Sequence, residues 1–215
     1  MNINLQTPVK SDYYMMFAFP PLFVVEYPHD LGVVKNVLKN LSFRQSRSNL
    51  TTDNQYVLDL PELSDLKRFC HHAVVKYVND VLHVDDPKMT IQQSWGNKTT
   101  KGTHHPRHYH LNSMLSGVFY VDTGDEPSPI VFDGPTREEF PVRQESSDER
   151  GSNEFMNDSY TFPAKEGILV IFPSSLHHYV PTNNTDKERI SLSFNTFPEL
   201  PVGTIDNSTY LTLDR

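Results

Sequence analysis

Cysteine is nearly absent: Cys70 stands alone in a chain of 215 residues. One thiol cannot close an intramolecular disulfide, so the fold has no covalent framework and a reducing compartment suits it. Positive charge is scarce as well. Nineteen lysines and arginines face twenty-seven acids, for a formal net charge of −8. A surface that binds nucleic acid through bulk positive charge is not expected from that balance. Long apolar runs are missing too: none approaches the roughly 20 residues a helix needs to cross a bilayer, so no membrane partner is expected. The opening MNINLQTPVK lacks a signal-peptide core, and triplets such as Asn97-Lys-Thr99 are therefore expected to stay unglycosylated. The expected location is the cytoplasm, or the host cytoplasm if the protein is viral.

What remains is 37% hydrophobic composition over 215 residues, enough for one domain, 1–215, with a sizeable core. Residues 1–87 read as an N-terminal strand with supporting helices, 88–197 as a β core, and 198–215 as a tail lying across the surface or at a subunit contact in a homodimer. Met15 to Tyr27 is apolar, broken at Pro20-Pro21, and its LFVVEY reads as a strand. Asp30 can cap a short helix through Leu41, with Val33, Val34, Val37, Leu38 and Leu41 as its buried stripe. Residues 43–58 are polar and read as loop, with a short strand at Tyr56 to Leu58. Pro61 to Leu82 is the strongest helix: Leu63, Leu66, Phe69, Ala73, Tyr77 and Val81 recur every three or four residues, and Pro61 suits a first turn. Cys70 sits on it as a small buried filler, and His71, His72 and His83 as surface or packing histidines.

From Lys88 the pattern is β. KMTIQQSW alternates, Asn97 to Thr103 reads as a turn, and Leu115 to Val121 and Ile130 to Phe132 read as strands. Short strands with turn signals at this spacing favour a jelly roll or barrel. Gly134 to Ser159 is charged and long for a structureless loop, which suits either a lid or a mobile surface segment, with Phe140, Val142, Phe155 and Met156 able to dock it. The strand pattern resumes in GILVIFPSS and in Arg189 to Asn195. There Ile190, Leu192 and Phe194 alternate with Arg189, Ser191, Ser193 and Asn195, so one face is apolar and the other carries polar donors.

The chemistry concentrates in GTHHPRHYHLNSMLSG, Gly102 to Gly117, which holds four of the ten histidines. Imidazole is the commonest nitrogen ligand of Zn, Fe, Cu and Ni. His108 and His110, two apart on a strand, face the same side and can share one ion; His178, after GILVIFPSSLHH, is the candidate third ligand. His104 and His105 are read as loop residues outside the site. Arg189 with Ser191 on one strand face offers a cationic fork and a hydroxyl, the donors a buried carboxylate needs.

Two families resemble this arrangement. Gly102, five residues, His108-x-His110, then Gly167, five residues, Pro173 and His178 follow the spacing of the cupin jelly roll, although the cupin glutamate after His110 is missing and Ser175 stands where cupins have glycine. The sequence more closely resembles the iron(II) and 2-oxoglutarate-dependent oxygenase superfamily, prolyl-hydroxylase-like, in a branch found in phages and marine bacteria. The resemblance rests on three blocks: His108 to Val121, Phe172 to His178 and Arg189 to Asn195. It covers about residues 92–197 and implies a double-stranded β-helix with one long N-terminal helix packed outside. It also implies a dioxygenase using Fe(II), 2-oxoglutarate and O₂, with Arg189 and Ser191 anchoring the distal carboxylate of 2-oxoglutarate and Tyr120 as a further donor. Such an enzyme hydroxylates a C–H bond of a peptide, protein or small molecule and releases succinate and CO₂. The superfamily usually has His-x-Asp where this chain has His108-x-His110, so Asp133, closing the IVFD strand, is a rival third ligand. A cupin-like metalloenzyme without 2-oxoglutarate and a non-catalytic β-sandwich binding module are the competing readings.

Overall fold

The structure is a computed structural model and describes residues 12–15, 21–85, 87–124, 128–134 and 159–212. The lid expectation for Gly134 to Ser159, with its four docking residues, falls on 135–158 and lies outside the described residues. Twelve strands form among the described residues, all paired antiparallel within two sheets. The larger sheet takes β1 (Asp12–Met15), β2 (Leu22–Glu26), β3 (Phe43–Gln45), β4 (Leu50–Thr52), β5 (Met89–Thr99), β7 (Leu115–Asp122), β10 (Ile168–Pro173) and β12 (Arg189–Pro198). Its order is β1-β2-β10-β7-β12-β5-β4-β3. The smaller sheet runs β6 (His105–His108), β11 (His178–Val180), β8 (Ile130–Asp133), β9 (Ser159–Phe162). This is the double-stranded β-helix expected from the sequence.

Side chains of the large sheet alternate between two cores, as the two-residue period of a strand requires. Phe23, Phe119, Val121, Leu169, Ile171, Leu192 and Phe194 point toward the helices. Leu22, Val24, Val118, Tyr120, Val170 and Phe172 point into the roll, where they meet Ile130, Phe132 and Phe162 of the small sheet. Strands buried on both faces read as continuous apolar runs, and GILVIFP is that signature. At Gly117 the packing leaves no room for a side chain, since an added Cβ would lie 2.2 Å from the Phe194 ring.

Both expected helices form. α1 (Gly32–Asn40) starts where the Asp30 carboxylate accepts the Gly32 N–H at 2.7 Å. Val34 and Leu38 are buried, whereas Val33, expected in the stripe, is 58% exposed and points to water. α2 (Ser64–Leu82) follows a 3₁₀ turn at Pro61–Leu63 and packs Leu66, Cys70, Ala73, Val74, Tyr77 and Val78 against the outside of the large sheet. Cys70 is fully buried, and burial pushes its thiol far above the ordinary range, as befits a packing residue. His71 hydrogen-bonds the Met89 carbonyl at 2.7 Å.

Two expectations for the polar segments need correction. Residues 43–58 contain a β3–β4 hairpin whose β4 joins β5 at Leu50↔Lys98 and Thr51↔Asn97, while Val57–Asp59 is a 3₁₀ turn rather than a strand. Asn97 to Thr99, expected in a turn, continues β5 because β12 pairs with it as far as Arg189↔Thr99. In both cases a neighbouring strand supplied the hydrogen bonds that overrode weak local propensity.

Candidate metal centre

β11 lies between β6 and β8, and its first residue is the hinge of the site. His178 pairs directly with His108 on one side and Phe132 on the other. Cross-strand partners project to the same face, so the register alone brings the two imidazoles to a ring separation of 4.3 Å. His110 arrives differently. β6 ends at His108, so strand alternation does not aim His110. Its backbone N–H donates to Ser174 at 2.9 Å, its ring stacks on Trp95 at 5.6 Å, and its Nδ1 meets Asn195 Oδ1 at 2.7 Å. One ligand-capable nitrogen from each of His108, His110 and His178 lies within 4.8 Å of the others.

The proton positions follow from the partners of Nδ1. His108 Nδ1 faces the Pro106 carbonyl at 2.8 Å, and His178 Nδ1 faces the Leu176 carbonyl at 2.9 Å. A carbonyl can only accept, so both nitrogens carry hydrogen. Asn195 Oδ1, which also takes the Ser116 hydroxyl's hydrogen, is likewise an acceptor, so the His110 proton sits on Nδ1 too. Each Nε2 is therefore a bare lone pair, and His110 Nε2 stands 3.2 Å from His108 Nε2. Adding a proton is disfavoured. Burial, with neighbouring imidazoles contributing, lowers His110 to about 4 and His178 well below its ordinary value; burial is also the main cause of the lowered His108. Lone pairs turned toward one another in a partly buried site fit a metal cation, and the neutral imidazole set fits a divalent ion such as iron(II).

Behind the histidines is a small cavity, walled by Val118, Ile130, Phe172 and Val180 on the apolar side and by Asn97, Ser116, Arg189, Ser191 and Ser193 on the polar side. No carboxylate of the described residues lines it. Arg189 is 3% exposed and forms no ion pair among the described residues; it donates to Ser191 Oγ at 3.2 Å, and its Nε has no hydrogen-bond partner. Tyr120 is not in the cavity wall. Its ring lies 5.2 Å beneath the guanidinium, and its hydroxyl is buried with no well-formed hydrogen bond among the described residues, Arg189 being its nearest charged neighbour. Burial raises that phenol to about 12 against the opposing pull of Arg189.

Asp133 does not join the histidines: its carboxylate forms an ion pair with Arg107 at the rim. His104 stays outside as well, its backbone N–H on the Ser48 carbonyl. His105 does not. It begins β6, its ring stacks on His108 at 4.4 Å, and it lines the cavity, where burial and the neighbouring His108 lower it to about 3. Asn195, Trp95 and the hairpin residues Ser46 and Thr51 at the mouth were also missed. For Asn195 the signal existed: it is the last polar position on the inward face of RISLSFN. For the hairpin there was none, because its place depends wholly on β5.

The match to known proteins agrees with this geometry. A family model described as "Putative 2OG-Fe(II) oxygenase" matches residues 93–195. No curated protein matches the chain in sequence. Among solved structures, an oxidoreductase of the 2OG-Fe(II) oxygenase family from Burkholderia pseudomallei is 13% identical, with TM-score 0.58 over 81% of this chain and 83% of that one. HygX from Streptomyces hygroscopicus, with nickel and 2-oxoglutarate bound, is 13% identical with TM-score 0.54 over 86% and 88%. A prolyl-4-hydroxylase from Pseudomonas putida is 14% identical with TM-score 0.52 over 81% and 91%. At such identities these likenesses are of fold.

Proposed function

We propose, on the premise that this chain belongs through residues 93–195 to the 2OG-Fe(II) oxygenase family of oxidoreductases, that it hydroxylates a C–H bond of a peptide, protein or small-molecule substrate. His108, His110 and His178 would hold iron(II), and Arg189 with Ser191 would hold the distal carboxylate of 2-oxoglutarate. When bound, the metal and cosubstrate supply an oxidation in which 2-oxoglutarate and O₂ yield succinate, CO₂ and the hydroxylated product. The observation that carries the reading is the cavity itself: among the described residues its wall brings together three bare imidazole nitrogens and a buried guanidinium without an ion pair, and no carboxylate.

The chain's own residues then have separable tasks. Arg189 gives a dianionic keto acid a charge-assisted anchor, and Ser191 fixes the plane of its fork. Tyr120 braces the guanidinium from below. The apolar wall of Val118, Ile130, Phe172 and Val180 keeps bulk water from the reacting end. Asn195 holds His110 in the tautomer that leaves Nε2 free, and Asn195 is held in turn by Ser116, whose hydroxyl shares a 2.8 Å bond with Ser174. The primary substrate would lie in the open groove that adjoins the mouth at Leu111 and Asn195, bordered by Tyr56, Gln92, Gln93 and Phe197. Two features separate this reading from a cupin-like enzyme: Arg189 and Ser191 have no task without the keto acid.

The test is a thermal-shift titration with Mn(II) and 2-oxoglutarate, alone and together. The expected result is stabilisation by the metal and a further rise with 2-oxoglutarate only when the metal is present. A metal-loaded protein that 2-oxoglutarate does not stabilise would overturn the reading.

A further inference from the structure

We infer that His105 is a further cosubstrate-contacting residue, whose imidazole N–H donates a hydrogen bond to an oxygen of 2-oxoglutarate held between the three histidines and Arg189; this rests on the function proposed above. Three observations place it there. His105 lines the inner cavity in common with the histidine cluster and Arg189, and lines its mouth as well. Its ring makes no hydrogen bond among the described residues, although its near neighbours His108, His110 and His178 each have an Nδ1 partner. It also stacks nearly parallel on His108, with 22° between the rings, and is outside the group whose nitrogens converge. A fourth ligand would turn a nitrogen to that point; His105 does not.

The chemistry of the occupant makes the assignment specific. A neutral imidazole has one donor and one acceptor, and every heteroatom of a 2-oxoglutarate dianion is an acceptor. A donor on this wall therefore adds to Arg189 and Ser191 without adding charge. An apolar ring in its place would preserve the packing on His108 and leave one oxygen of the anion without a partner, the costly half of a broken hydrogen bond.

The experiment is calorimetric titration of 2-oxoglutarate into Mn(II)-loaded parent, His105→Phe and His105→Gln. Phe keeps an aromatic ring on His108 and removes the donor; Gln restores an N–H. The expected result is about tenfold weaker 2-oxoglutarate in His105→Phe, recovery of most of that loss in His105→Gln, and Mn(II) affinity close to the parent's in both. Equal 2-oxoglutarate affinity in parent and His105→Phe overturns the inference and spares the proposed function. Joint loss of Mn(II) and 2-oxoglutarate also overturns it, by making His105 part of the metal set. Failure of the metal-loaded parent to take up 2-oxoglutarate overturns both. A second measurement needs no variant: in Zn(II)-loaded parent with ¹⁵N-labelled histidine, the His105 ring N–H resonance should move downfield as 2-oxoglutarate is added, and an unmoved resonance overturns the contact.

Discussion

The two faces of β12 share one backbone, one ladder on each side and nearly complete burial, yet they do opposite work. Ile190, Leu192 and Phe194 meet the apolar stripes of the helices and of neighbouring strands. Arg189, Ser191 and Ser193 are also buried and face a cavity, and Asn195 faces its mouth. On the first face, burial removes apolar surface from water and stabilises the fold. On the second, among the described residues, it holds a cation without an acid and leaves Arg189 Nε and Tyr120 Oη without a well-formed hydrogen bond, which costs stability. Burial by itself therefore does not distinguish core from site. Unsatisfied polarity does, because a fold retains such groups where a ligand completes them.

Phe194 carries the largest share of the apolar face. Phe194→Ala empties a fully buried ring position against Gly117 and should destabilise the protein by about 3–5 kcal/mol, read as a lowered denaturation midpoint with or without metal. A loss under about 1 kcal/mol would mean that the helix-facing side is not the stabilising one.

Arg189→Ala tests the other face, and the effect should move from stability to binding. Loss of a charge-assisted anchor should weaken 2-oxoglutarate by about 2–4 kcal/mol, roughly 30- to 1000-fold. The melting temperature of the ligand-free protein should hold or rise, since an uncompensated buried charge has been removed. Unchanged 2-oxoglutarate titration would return Arg189 to the structural ledger.

The smallest effect is in pH. His105, His108, His110 and His178 all have folded-state values below the unfolded one, the first two causes being burial and nearby positive rings for His105 and His110. The unfolded chain takes up protons below about 6.5 while the folded chain resists until about 4 for His110 and about 3 for His105. Stability from these groups is thus fully present above about pH 6.5 and is lost as pH falls toward those values. The metal-free protein should melt several degrees lower at pH 5 than at pH 7.5, and less so in His178→Ala; equal slopes would show that the cluster does not set the acid limit.

Sequence reading reached β2, β5, β7, β8, β10 and β12 and both helices by their periodicity, and the set His108, His110 and His178 by residue type. It failed where position depends on a partner. The β3–β4 hairpin is polar and short, and only the end of β5 organises it. Val33 lies one residue from Val34 on α1, a rotation of about 100° that a mixed apolar run does not specify. His105 reads like His104, its immediate neighbour, yet it begins β6, pairs with Val180 across an irregular register and lines the cavity, while His104 precedes the strand.

The chain itself determined which chemistry was available: abundant imidazole in one stretch, one inward arginine, no disulfides, and a two-residue period that had to make a sheet. The tertiary structure decided which of those groups meet. Register across β6 and β11 sets His178 opposite His108, and Asn195, eighty-five residues after His110, fixes that ring's tautomer. It also sent Asp133 to Arg107 instead of to the histidines. The reason is range. Alternation and helical period are local and can be read along the chain, whereas cross-strand register and side-chain hydrogen bonds join residues far apart in sequence, and only packing brings those together.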